Sequence, residues 1–151
     1  MNRFVVLLAP LAIGAVLSVP ARAQTLPDGE GRDTYETVCG ACHGADIVLG
    51  SQGTKARWED TVDSMKNRGA SGSDADFVTV VKYLSLYFGP SININTAAAK
   101  EIETELDFTT AQVDAIVKAR TAAKIADFAA LTKVPGMDAK KLEPLKTRLK
   151  F

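Results

Sequence analysis

Cys39-Gly40-Ala41-Cys42-His43 constrains this chain more than any other stretch. Two thiols separated by two residues, with an imidazole next in line, read as a site for covalent attachment of one c-type haem. The spacing has a chemical reason. Each sulfur adds to one vinyl group of the porphyrin, and a two-residue spacer lets one turn of chain reach both. The next residue then lies beneath the ring, where its imidazole meets the iron. His43 is the only histidine among the 151 residues, so no other imidazole competes for that position.

Other uses of the two cysteines fit less well. A thioredoxin-like dithiol shares the spacing but belongs in a βαβ context, and no strand-rich pattern surrounds this motif. A structural zinc site takes four ligands. Cys39, Cys42 and His43 supply three, and the chain has no further cysteine or histidine. A plain disulfide leaves the adjacent histidine without a reason.

Residues 1–23 read as a secretory signal peptide. Arg3 provides the positive start, residues 4–17 are almost wholly apolar, and Ala21-Arg22-Ala23 offers a small-x-small cleavage site. The rival reading is a retained anchor, against which the apolar run falls short of the roughly 20 residues that span a bilayer. No later segment is apolar enough to span. Export places the mature chain in the periplasm. Cleavage removes Arg3 and Arg22 from 18 basic side chains against 18 acidic ones, leaving a mildly acidic protein. That balance gives no general attraction to nucleic acid.

Gly89-Pro90-Ser91 divides the remainder into residues 24–89 and 90–151. The first part holds both cysteines and most aromatics, the second most of the lysines. Each is near 60 residues, a size that rarely stabilises itself by core burial alone. Residues 24–31 read as a loose leader. Helices are expected over 32–39, over 55–67 with Thr54 as N-cap and Gly69 just past the end, and over 74–88 with Ser73 as N-cap. Trp58, Val62 and Met65 fall on one face of the second of these. Such a stripe is ordinarily just core, but a haem iron needs a sixth ligand. Once Met1 is removed, the chain offers Met65 and Met137. Met65, with an aromatic and a β-branched neighbour on its own face, is the choice. Arg57, with Lys55 and Arg68 nearby, is a candidate partner for a haem propionate, or one of several solvated helix-end charges.

Residues 31–88 resemble a small monohaem cytochrome c domain. The Trp58-x3-Val62-x2-Met65-x3-Gly69 run, with Tyr83-Leu84 in the last helix, is similar to short cytochrome domains found beside periplasmic dehydrogenases. That resemblance implies methionine as the distal ligand, at Met65.

The second part reads as further helices. Residues 91–96 lead into a helix ending near Leu106, and Thr109-Thr110-Ala111-Gln112 forms a capping box for the next. Val134-Pro135-Gly136-Met137-Asp138 is a tight turn. A last helix is expected to bury Leu142, Leu145 and Leu149, with Pro144 in its first turn or at a kink. Residues 92–151 resemble the tandem helix-hairpin-helix domain of exported competence-type DNA receptors, through Ile92-Asn93-Ile94-Asn95-Thr96-Ala97, Phe128…Leu131…Val134 and Pro135-Gly136-Met137. In that family hairpin glycines bring backbone N–H groups to DNA phosphate, and Met137 matches the apolar plug between them. Here Asp107, Thr109 and Asp138 stand where three of those glycines are expected. A carboxylate beside a phosphate repels it, and only glycine permits the closest backbone approach.

These readings predict an all-α chain: a cytochrome c-like domain, then a helix-hairpin-helix domain. The expected function is a periplasmic electron carrier, not an enzyme, with haem c held by Cys39 and Cys42, axial ligands His43 and Met65, and Trp58 against the ring. Its partner would be a redox protein such as a periplasmic dehydrogenase or oxidase, met through the second domain. The alternative is a haem-bearing exported DNA receptor. A peroxidase-like haem is a third reading, which the lack of a second histidine disfavours.

Overall fold

The computed structural model describes residues 25–151. The signal peptide reading falls outside the described residues. Among those described, the chain is all-α apart from one pair of two-residue strands, and it carries two hydrophobic cores.

The first core is built by α1 (Arg32–Gly40), α2 (Lys55–Asn67) and α3 (Asp74–Phe88). Thr54 starts α2 by accepting from the Arg57 amide, and Ser73 with Asp76 forms a reciprocal capping box on α3. The Ser73 hydroxyl and amide both donate to the Asp76 carboxylate, which holds that group below its ordinary pKa. Tyr35 and Val38 of α1 meet Trp58 and Val62 of α2 against α3, whose Val80 and Tyr83 are fully buried. The rings of Tyr35 and Tyr83 stack at 5.5 Å.

The leader is not loose. Leu26 is buried in this core, Tyr83 Oη donates to the Pro27 carbonyl at 2.9 Å, and Tyr87 Oη donates to that of Asp28 at 3.1 Å. Nothing local in residues 24–31 signals this, because the groups that strap the leader down lie more than fifty positions later.

The second core is built by β1 (Ile92–Asn93), α4 (Ala99–Leu106), α5 (Thr110–Ala122), α6 (Phe128–Leu131), α7 (Ala139–Leu142) and β2 (Leu149–Lys150). The expected last helix is cut short. α7 ends at Leu142, Pro144 lies in a 3₁₀ turn over Glu143–Leu145, and the chain then extends. Proline supplies no N–H and crowds the preceding turn, and the freed segment pairs parallel with β1, Ile92 opposite Leu149. Leu142, Leu145 and Leu149 are buried as expected, on three different elements rather than one helix.

Arg148 joins the two cores. Only 4 % exposed, it donates from Nη1 to the Ser85 carbonyl at 2.5 Å and to that of Leu86 at 3.1 Å. Nε reaches Pro90 O and Nη2 reaches Glu105 O, each at 3.0 Å. These oxygens lie at or just beyond the last turns of α3 and α4, where helix carbonyls lack partners and the dipole favours a cation. Burial lowers the guanidinium pKa from its ordinary value, against the pull of Glu105. Gly89 makes room for this arrangement, since a Cβ there would lie 2.2 Å from Arg148 Nη2.

Candidate functional site

A cavity of about 460 Å³ opens between α1, α2, α3 and the loop after the cysteines. Cys39, Cys42, His43, Trp58 and Met65 all line it, with Val62, Phe77 and Leu84 among its apolar walls. Each is placed by local structure. α1 buries Tyr35 and Val38 and so carries Cys39 inward, leaving Cys42 and His43 in the exposed turn beyond. Met65 comes one helical turn after Val62 on α2. Its carbonyl accepts from Arg68 N at 3.1 Å and Ala70 N at 3.0 Å, a helix stop that depends on Gly69 at φ 98°. The Trp58 indole N–H donates to Phe88 O at 3.2 Å, an acceptor shared with Gly53 N.

The chemistry of the lining is apolar with two thiols and one imidazole at the mouth. Burial raises the Cys39 thiol above its ordinary pKa, which disfavours the thiolate a dithiol redox motif requires. Burial likewise raises the Tyr35 phenol, with smaller contributions from Cys39, Tyr83 and Asp46, so it stays a neutral donor to Ala45 O at 2.8 Å. His43 Nδ1 lies 3.4 Å from the Gly44 carbonyl. The volume suits a cofactor-sized ligand, for which roughly 300–1,000 Å³ is typical.

Two expectations need correction. Arg57 does not line the cavity; it is exposed, with Nη1 3.5 Å from Gln52 O, while Arg68 at the other end of α2 does line it. Helix rotation decides this, since Arg57 falls beside the buried face that Trp58 occupies. The expectation of a metal-binding site, with His43 and Met65 as its ligands, is also not met. Among the described residues, no group of three or more His, Cys, Asp or Glu side chains is gathered so as to hold a metal ion. Among the described residues no carboxylate lines the cavity.

The hairpins of the second core keep a glycine-like backbone while changing its chemistry. Asp107 adopts φ 55°, a left-handed conformation unusual outside glycine, and Gly136 stands at φ 82° in the equivalent turn. Phe108 is buried and Met137 half-buried against the core as plugs. Gln112 Nε2 donates to Gly136 O at 3.0 Å and so ties one hairpin to the other. Thr109 Oγ1 accepts from Gln112 N at 3.3 Å, and Asp138 Oδ1 accepts from Lys140 N at 2.9 Å. One amide in the first turn of each of α5 and α7 thus has a side-chain acceptor.

A family profile described as the helix-hairpin-helix motif matches residues 89–150. The second part of the chain therefore carries this motif, and the comparisons give no support for a cytochrome c domain in the first. No curated protein and no solved structure matches the chain. No helix among the described residues is long and apolar enough to cross a membrane.

Proposed function

We propose that this is an exported haem-bearing protein that carries single electrons, with its helix-hairpin-helix part serving as a docking element for a redox partner. One observation carries the reading: two separate segments, the Cys39-to-His43 motif and the Trp58–Met65 face of α2, line one largely apolar cavity of about 460 Å³. Covalent haem c, when bound, supplies a one-electron redox centre. The chain's own groups do the rest. Cys39 and Cys42 would anchor the ring, His43 and Met65 would bind its iron, and Val62, Phe77 and Leu84 would exclude water. Arg68, the cation on the cavity wall, replaces Arg57 as the candidate partner for a propionate. With both residues bound to iron no position would be left for a substrate, so the proposed role is that of a carrier rather than an enzyme. The periplasm is the compartment that residues 1–23 imply.

The test is the mass and colour of the mature protein purified from a periplasm competent for haem attachment. The expected result is one haem per chain that survives denaturation and is lost in Cys39→Ser with Cys42→Ser. A colourless protein with the mass of the bare chain overturns the proposal.

The family match favours a second reading, DNA binding, more directly than the first. Against it stand Asp107 and Asp138 in the two hairpin turns and the capped amides of α5 and α7. The expected affinity for duplex DNA near 150 mM salt is no better than the roughly 10⁻⁴ M of weak non-specific binding. Submicromolar binding with a steep salt dependence, read by gel shift, would establish the DNA role instead.

A further inference from the structure

A second cavity, of about 680 Å³, lies where the two cores meet. α2 and α3 form one wall, and the end of α4 with Leu145 forms the other. Its floor is apolar, and Val78 on its edge is 69 % exposed, one of two large hydrophobic side chains so exposed among the described residues. The hydroxyl of Ser85, a buried residue lining this groove, has no hydrogen-bond partner among the described residues. Five carboxylates line the groove against three ammonium groups. Lys55, Lys66 and Lys82 already face Asp107, Asp74 and Glu30 respectively, whereas Glu59 and Asp63 take no ion pair among the described residues. Val62 and Phe77 line this groove and the cysteine cavity alike, so the two spaces are separated by a single layer of side chains.

From this juxtaposition we infer that the groove between the two cores docks a basic, amphipathic segment of a partner protein, its apolar side over Val78 and its cations against Glu59 and Asp63. The groove has both its walls only where the two cores meet, which gives the helix-hairpin-helix part a role that needs no nucleic acid. The acidic rim disfavours phosphate-bearing partners. That the partner is a redox protein rests on the haem reading above. An occupant here would stand one side-chain layer from the haem cavity, and electron tunnelling falls steeply with distance.

The test uses the mature, full-length protein labelled for amide NMR. The probes are a synthetic Leu/Lys amphipathic peptide of about four helical turns and its Leu/Glu counterpart. The lysine peptide is expected to shift the amides of Val78, Ser85 and Thr104, and to bind roughly tenfold more weakly to Glu59→Lys with Asp63→Lys. Val78→Ser, an exposed change that leaves both cores intact, should weaken binding several-fold. Equal binding of the glutamate peptide, shifts centred on Cys42 and Ile47, unchanged affinity in the charge-reversed variant, or no binding by about 1 mM would each overturn the inference. The colour of the same sample reports on haem separately. A colourless protein that binds the lysine peptide in the groove keeps this inference and loses the haem reading; a loaded protein that fails to bind does the reverse.

Discussion

Arg148→Met is expected to lower the unfolding free energy by about 3–5 kcal/mol, the largest single loss anywhere outside the apolar cores. Methionine keeps the unbranched stem but removes every donor. The carbonyls of Ser85, Leu86, Pro90 and Glu105 would then lose the guanidinium that bonds them now. A buried acceptor left without a partner costs about 1–3 kcal/mol, and water entering the opened junction recovers part of it. Arg148→Lys should recover little, because one ammonium cannot reproduce a planar fork that reaches in several directions. Gly89→Ala should act in the same direction, since its Cβ would lie 2.5 Å from the Ser85 carbonyl as well as against the guanidinium. Urea unfolding followed by circular dichroism checks this. The expected midpoint shift is large, and the transition should broaden or split as the two cores come apart. An unchanged midpoint in Arg148→Met would mean that the junction contributes little to stability.

That residue also marks where reading the chain linearly falls short. Arg148 stands among the lysines of the C-terminal segment, and although the leucines beside it signal a buried face, nothing local signals a buried guanidinium. Its acceptors are backbone oxygens as many as 63 residues away, which carry no side-chain signature. The leader escapes notice for the same reason, its anchors being the distant hydroxyls of Tyr83 and Tyr87. Local rules, by contrast, were readable wherever the physics is local. Thr54, Ser73 and the Thr109–Gln112 pair each start a helix where a hydroxyl followed by a capping partner predicts one. The cavity residues were legible because the cysteine–histidine spacing and the Trp58–Val62–Met65 stripe each encode a geometry on their own. Arg57 was not separable from Arg68 by pattern, since both flank α2 and only the helix's rotation chooses between them. Asp107 shows the limit of residue identity as a guide to backbone. Its turn keeps the left-handed φ that a glycine would favour, held by the Phe108 plug and by the helices on either side.

On the haem reading proposed above, Met65→Ala is expected to change the redox centre far more than the fold. Met65 is half-buried, and its truncation should cost less than the roughly 2–5 kcal/mol of a fully buried methionine. The backbone around it is secured independently, because the bonds from Arg68 N and Ala70 N are made to its carbonyl and survive the change. On that reading Met65 and His43 would both bind the iron, a ligand pair that raises the potential of a c-type haem, and the variant would lose the thioether. The loaded variant should therefore show an altered ferric spectrum, bind carbon monoxide when reduced, and fall in potential by on the order of 100 mV, well inside the roughly 0.8 V that axial ligation spans. Met137→Ala is the control. That side chain packs against the second core beside Gly136, so it should lower stability modestly and leave spectrum and potential untouched. If the two variants exchanged behaviours, the sixth ligand would be Met137, and the assignment of Met65 would fail. If both left the spectrum unchanged, the distal position would belong to neither thioether, and the electron-carrier assignment would lose the filled axial site on which it depends.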